Sequence, residues 1–172
     1  MRLPLGSYAL FVAMVFASPA FAVDLDDDVT PDTQEHIASE PDNAKSNEVE
    51  ATFPDEAAAI REAVARHVRH ANTRDLDGYM GDFLKERIRY YDAEVAYAKR
   101  AMALADLQIQ VQHISFTKLS RTAATIHTRQ ISTYTDDHGN PVRHDAIISY
   151  RWIKDANDGV WRIAFTERQH SK

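Results

Sequence analysis

Apolar and polar residues alternate along the second half of the chain, with the period of two that is typical of half-buried β-strands. The alternation is strictest over Leu107–Gln112, and it resumes at Ile114 and Phe116 after a change of register, which predicts a bulge near His113. Polar turns separate the three strands that follow. The pattern therefore predicts an antiparallel meander whose last three strands are Thr122–Asp136, Val142–Asp155 and Gly159–Gln169.

A helical period replaces this alternation upstream of the strands. The first predicted helix runs over Asp55–Arg74, with Pro54 in its first turn, and its apolar stripe consists of Ile60, Val64, Val68 and Ala71. A second, short helix starts at Asp75. An extended piece is predicted over Glu86–Asp92, followed by a third helix over Ala93–Leu104. Helices that precede a four-stranded meander predict an α+β domain, with the helices packed on one face of a curved antiparallel sheet.

The first 22 residues have the features of a targeting segment. Arg2 supplies a positive start, Leu3–Phe16 is mostly apolar, and Ala20-Phe21-Ala22 has the small-x-small pattern of a signal-peptidase site. The sequence thus predicts a signal peptide over residues 1–22, cleaved between Ala22 and Val23. The protein is then expected to be periplasmic or secreted and to have no membrane anchor after cleavage. The alternative is an uncleaved anchor, although the apolar run is short for a membrane span.

Residues 23–54 are predicted to be an acidic, disordered linker. They hold ten Asp and Glu residues against one Lys, with few large apolar side chains and no period. Such a segment cannot bury enough apolar surface to offset the entropy of ordering it. Residues 55–172, the predicted globular domain, hold 16 acidic and 18 basic residues, so the acidity of the chain belongs to the linker.

The composition excludes cysteine chemistry and argues against a metal site. The absence of cysteine excludes disulfides, thiolate metal sites and a cysteine nucleophile. His67 and His70 lie three apart on the first helix, and His138 and His144 flank a turn, but neither pair has a zinc-site spacing, so no metal and no other cofactor are expected.

The first predicted helix carries four arginines, namely Arg61, Arg66, Arg69 and Arg74. Nucleic acid is not expected as a partner, because export argues against it and the basic field lacks breadth and stacking aromatics. A solvated helix face is one interpretation of these arginines. The other is an anionic partner such as a cell-wall polymer, membrane headgroups or the protein's own acidic linker.

Three short motifs carry a family resemblance over roughly residues 55–169. They are Asp75-Leu76-Asp77-Gly78-Tyr79 in the second helix, a strand ending near Gln130, and Gly159-Val160-Trp161-Arg162-Ile163 in the last strand. Together with the order of elements, they resemble the nuclear transport factor 2-like superfamily, and above all the exported domains attached to bacterial L,D-transpeptidases. The resemblance implies a conical α+β barrel, a pocket between the sheet and the helices, and a homodimer formed through the outer sheet face.

Strand parity predicts which polar side chains line that pocket. If Ile109 and Val111 face inward, His113 follows them, and Ile126 brings Gln130 to the same side. Ile148 brings Tyr150 and Trp152, while Ile163 and Phe165 bring Glu167. The candidate pocket residues, including three tyrosines from the helical side, are Tyr79, Tyr90, Tyr91, His113, Gln130, Tyr150, Trp152 and Glu167. The alternative is that these residues are hydrogen-bonded parts of the core or rim without a ligand.

The function expected from the sequence is that of an exported ligand-binding or accessory domain, non-catalytic and associated with the cell envelope. A small apolar molecule or an envelope component would be its partner. The reason is that neither the catalytic Tyr and Asp of ketosteroid isomerases nor a polyketide-cyclase-like His–Asp pair can be placed on the chain. One alternative is an isomerase, cyclase or hydratase that uses Glu167 and Tyr residues. Another is a structural dimerisation module, with Tyr134, Tyr150 and Trp152 as cross-strand aromatics.

Overall fold

The computed structural model describes residues 43–88 and 91–169, so the predicted signal peptide and residues 23–42 lie outside the described part of the chain. A helical half comes first and a sheet follows. The helices are α1 (Asn43–Thr52), α2 (Pro54–Asn72), α3 (Leu76–Gly81) and α4 (Tyr91–Met102), with a 3-10 turn at Lys85–Arg87 before α4. The strands are β1 (Ala105–Leu119), β2 (Ala123–Thr135), β3 (Pro141–Lys154) and β4 (Trp161–Gln169).

The four strands form one antiparallel sheet in the order β1-β2-β3-β4, which confirms the predicted meander and the α+β class. The register of β1 against β2 shifts between Val111 and His113, where the sequence predicted a bulge. Further shifts occur within both edge strands. Bulges of this kind increase local twist, so the long strands curve around the helices.

The core lies between the inner face of the sheet and α2. Ile60 of α2 is fully buried, as are Ile126, Trp152 and Ile163 of the sheet. Helix α2 begins at Pro54, as its missing N–H and the acidic residues Asp55 and Glu56 in the first turn favour. None of the helices in residues 43–88 and 91–169 combines the length and the apolar content needed to cross a bilayer.

Helix α1 corrects the part of the predicted disordered linker, 23–54, that the structure describes, which is residues 43–54. Its Ser46 is buried and its Oγ accepts a hydrogen bond from the backbone N–H of Phe116 in β1 at 2.8 Å. Glu50 binds the guanidinium of Arg61 at 2.8 Å. The folded domain therefore starts at residue 43 rather than 55. Composition concealed this helix because its anchors are polar groups that bind the edge of the sheet, not an apolar stripe.

The connection between α3 and α4 also differs from the prediction of an extended piece over Glu86–Asp92. Lys85–Arg87 forms a 3-10 turn, and α4 begins at Tyr91, two residues before the predicted start. Residues 89 and 90 lie outside the described part of the chain.

Candidate functional site

A buried carboxylate, Asp82, holds three side chains of α2. Its Oδ1 accepts a hydrogen bond from Arg66 Nε at 2.7 Å. Its Oδ2 lies 3.2 Å from His67 Nδ1 and 2.9 Å from His70 Nδ1. The backbone carbonyl of Asp82 accepts from Ile163 N at 2.7 Å. Asp82 therefore connects α2, the end of α3 and β4 at one point.

The spacing on α2 explains this convergence. Residues three and four apart face the same side of a helix, so Arg66 and His70, and His67 and His70, can reach one acceptor. Burial of Asp82 opposes its ionisation, but the hydrogen bonds to His67 and Arg66 and the positive charge of Arg66 outweigh burial and hold the pKa of the carboxyl below its usual range. Asp82 is therefore a carboxylate at neutral pH and acts only as an acceptor.

His67 stands at the centre of an aromatic cluster. Its ring stacks on Tyr79 with centroids 4.3 Å apart, and it meets Phe83, Tyr150 and Trp152 edge-on at 5.5, 6.3 and 6.4 Å. Burial lowers the pKa of His67, although Asp82 acts in the opposite direction. A neutral His67 that faces a carboxylate through Nδ1 carries its proton there, so its Nε2 is a lone-pair acceptor.

Among the described residues, that acceptor has no hydrogen-bonding partner. His67 Nε2 is buried, and no described group lies within hydrogen-bonding distance of it. The same holds for the indole N–H of Trp152, whose ring centroid is 6.4 Å from that of His67. Buried polar atoms are normally paired, so these two unpaired groups in one aromatic cluster are atoms that an ordered water or a polar ligand group could satisfy.

Further polar groups extend the cluster towards the sheet. Tyr150 Oη donates a hydrogen bond to Gln130 Oε1 at 3.4 Å, and both side chains are buried. Burial, and then the charge of Glu94 on α4, raises the pKa of Tyr150. Burial also raises the pKa of Tyr79, with contributions from Tyr150 and Glu94. Both phenols therefore remain protonated and can exchange hydrogen bonds with an uncharged ligand.

The structure gathers four of the eight predicted pocket residues and places two others on the surface. Tyr79, Gln130, Tyr150 and Trp152 share the interior cluster. Tyr91 is half-buried, with Lys85 Nζ 5.1 Å from its ring centroid, and Tyr90 lies outside the described residues. His113 and Glu167 are exposed and stand apart from the cluster.

Bulges explain why parity misplaced His113 and Glu167. In β1, Val111 pairs with Gln130 and His113 with Arg129, so Gln112 is an extra residue that breaks the alternation. In β4, Phe165 pairs with Arg151 and Ile163 with Trp152. Phe165 is consequently 52% exposed, and the expectation that it faces inward together with Glu167 is corrected. Ala164 and Thr166 are buried in their place.

Sequence reasoning missed the pair His67–Asp82. Fifteen positions separate the two residues, and only the turn between α2 and α3 brings them into contact. The spacing of His67 and His70 on one helix suggests a metal pair, and it carries no sign of a carboxylate that both histidines contact. In residues 43–88 and 91–169 no three His, Asp or Glu side chains are arranged to hold a metal ion.

Comparison with known proteins supports the family and the fold. Residues 62–172 match the family model of the C-terminal domain of the anti-sigma-I factor RsgI9. No curated protein matches the sequence.

Similar solved structures share the fold at low identity. One is a function-unknown protein of Mycobacterium tuberculosis (TM-score 0.61, 21% identity, 71% of this chain and 75% of that chain). Another is a proposed scytalone dehydratase of Novosphingobium aromaticivorans (TM-score 0.61, 13% identity, 71% and 88%). A third, from the same organism, is a nuclear transport factor 2-like protein with a cystatin-like fold (TM-score 0.56, 14% identity, 71% and 86%). These likenesses confirm the nuclear transport factor 2-like fold. A shared fold does not establish function, so the function is argued from the site.

Proposed function

The chain belongs to the family of the RsgI9 anti-sigma-I factor C-terminal domain, and from this premise we propose that it is an exported, non-catalytic module that binds a small uncharged molecule. The buried Nε2 of His67 carries the proposal. A ligand hydroxyl or amide could donate to this atom, while the rings around His67 contact the apolar part of the ligand. Asp82 holds the imidazole in the required tautomer.

The features of the cluster favour an uncharged ligand over an ion. The described polar groups near His67 include the acceptor Nε2, the Trp152 N–H and the Tyr150 hydroxyl. Arg66 is already bound to Asp82 and to the carbonyl of Trp161, so its charge is compensated. A charged ligand would lose its hydration, and the charged side chains near the cluster, Asp82, Arg66 and Glu94, already interact with other protein groups, so binding it is costly in a buried site.

Export and a role at the cell envelope complete the proposal. Arg2, the apolar run to Phe16 and Ala20-Phe21-Ala22 support a cleaved signal peptide, and the acidic residues that follow would then form an N-terminal extension of the exported domain. The name of the matched family refers to an anti-sigma factor, a regulatory protein, which favours recognition over catalysis.

Native mass spectrometry of the exported protein tests binding. We expect an organic molecule to remain bound to the wild-type protein and to be lost from His67→Asn. The Asn amide can still donate to Asp82, but it cannot supply an acceptor at the position of Nε2. The matched control His113→Asn changes an exposed histidine and should retain the molecule. A wild-type protein with no bound molecule, or equal retention by both variants, would exclude this site.

A second candidate function follows from the same geometry. A carboxylate on Nδ1 and a free lone pair on Nε2 are also the arrangement of a general base, which a hydratase, isomerase or cyclase could use. Glu167, the base suggested by the sequence, is exposed. Incubating the co-purified molecule with fresh protein separates the two functions. Recovery of an unchanged molecule supports binding, whereas conversion that His67→Asn abolishes supports catalysis.

A further inference from the structure

The edge strand β1 is closed at two points by side chains of the helices. The amide of Asn72 pairs with the backbone of Ile109, donating to its carbonyl at 2.9 Å and accepting from its N–H at 2.8 Å. Seven residues later, Ser46 Oγ accepts from the N–H of Phe116. β1 is the first strand of the sheet, so these contacts replace the neighbouring strand that it lacks.

Between these two points the strand edge is open. In an antiparallel ladder the backbone groups of alternate residues point away from the partner strand, so those of Val111 point to the same side as those of Ile109. By the same rule the backbone groups of Ile114 point to the same side as those of Phe116. Ile109 and Phe116 are seven residues apart, an odd number, and the extra residue Gln112 allows the backbone groups of both to point to the same side. The N–H and C=O groups of Val111 and Ile114 therefore face away from β2, and no hydrogen bond to another described element satisfies them.

A groove of about 450 Å³ runs along this open edge, between β1 and α2. Its floor is apolar, and its rim carries His113 and Arg61, the latter paired with Glu50. The lining residues are Arg61, Val64, Ala65, Val68, Val111, Gln112, His113 and Ile114. Arg61 binds Glu50, yet its side chain remains 44% exposed. Open backbone groups above an apolar floor are the features that bind an extended peptide as an added strand.

We propose that the chain's own segment Val23–Asp27 occupies this groove as an additional strand beside β1. Val23-Asp24-Leu25-Asp26 alternates apolar and acidic residues, which is the pattern of a strand with one apolar and one charged face. Val23 and Leu25 contact the apolar floor, and the aspartates face Arg61 and His113. The backbone of the segment pairs with the open groups of Val111 and Ile114.

The length of the connecting chain suits this docking. Fifteen residues, 28–42, lie between the segment and α1, and a flexible chain of that length has a root-mean-square span of roughly 21 Å. Helix α1 lies against β1 through Ser46 and Phe116, two residues from Ile114. The tethered segment therefore reaches an effective concentration near the groove of about a millimolar, so a weak intrinsic affinity suffices.

Hydrogen exchange of the full exported chain tests the proposal. The amides of Val111 and Ile114 should be protected, and Leu25→Asp should lower their protection about tenfold by placing a charge on the apolar floor. Ile37→Asp makes the same change of charge outside the docking segment and should leave the protection unaltered. The amides of Ile109 and Phe116, bound by Asn72 and Ser46, serve as internal references.

A change on the other side of the groove gives an independent check. His113→Glu on the rim should repel the aspartates and reproduce the loss of protection seen with Leu25→Asp. Equal protection in the wild-type chain, Leu25→Asp and His113→Glu would overturn the proposal. Protection that increases with protein concentration would also overturn it, because the occupant would then be a second molecule. Ligand retention by the interior site should be the same in Leu25→Asp and wild type.

Discussion

His67 Nδ1 lies 3.2 Å from Asp82 Oδ2, and both side chains are almost fully buried. The carboxylate fixes the imidazole on one side, while Tyr79 stacks against its ring at 4.3 Å. This contact fixes His67 of α2 to Asp82 at the end of α3, and it orients Nε2 of His67 within the aromatic cluster. The stability of the domain and the proposed binding function therefore depend on the same pair.

Asp82→Asn should destabilise the domain strongly. The substitution removes the charge that offsets Arg66 and weakens the hydrogen bonds to two histidines. Breaking a buried ion pair by removing one partner costs about 3 kcal/mol or more in the free energy of unfolding, measurable by urea denaturation. Asp145→Asn is the matched control, because its pair with Arg129 is exposed and should contribute less than about 1 kcal/mol. Similar losses in both variants would contradict the structural role of Asp82.

The stability of the domain should decrease as the pH falls below the ordinary histidine range. Burial lowers the pKa of His67 below the ordinary histidine value of about 6.5, so the unfolded chain binds more protons than the folded one once the pH drops to that range. The free energy of unfolding should accordingly fall between about pH 7 and pH 5. Asp82 contributes nothing in this window, because its lowered pKa keeps it ionised in the fold.

His67→Asn identifies the origin of that pH dependence. Burial also lowers the pKa of His127, which acts in the same direction, so the variant should flatten the slope without abolishing it. Urea unfolding at several pH values gives both slopes. Identical slopes for the wild type and His67→Asn would show that His67 is not the group that titrates.

Gly78→Ala should destabilise α3 through its N-cap. Asp75 caps the helix by accepting the N–H of Gly78 at 2.9 Å, and a Cβ at residue 78 would collide with the Asp75 carboxylate and lie 3.0 Å from His70 Cδ2. Losing the cap costs about 1 kcal/mol in the free energy of unfolding.

Gly81→Ala is the matched control on the same helix. A Cβ at residue 81 would meet no heavy atom within 4 Å, so the variant should be neutral or stabilising by up to about 1 kcal/mol, since alanine favours helix over glycine. The midpoint temperature of thermal unfolding should therefore fall for Gly78→Ala and stay unchanged or rise for Gly81→Ala. Equal shifts would rule out steric conflict at Gly78.

Local patterns predicted the fold because each helix and strand is specified by residues close to it in the sequence. The alternation from Leu107, the stripe from Ile60 to Ala71 and the helix start at Asp75 depend on a few neighbouring residues, so they can be recognised without the tertiary structure. The same patterns could not place His113 or Glu167. One extra residue in a strand reverses every later side chain, and the position of a bulge depends on the partner strand.

The sequence by itself determined the four-stranded meander and the helices α2, α3 and α4 that cover it, and it named Tyr79, Tyr150 and Trp152 as candidates without deciding on which side of the sheet Tyr150 and Trp152 lie. Only the tertiary structure decided that Asp82 binds His67, that α1 belongs to the fold and that β1 keeps an open edge between Asn72 and Ser46. The physical reason is the distance along the sequence between the residues that interact. Periodicity and capping are set by neighbours along the chain, whereas a buried hydrogen bond and a strand edge are set by elements that meet only after folding.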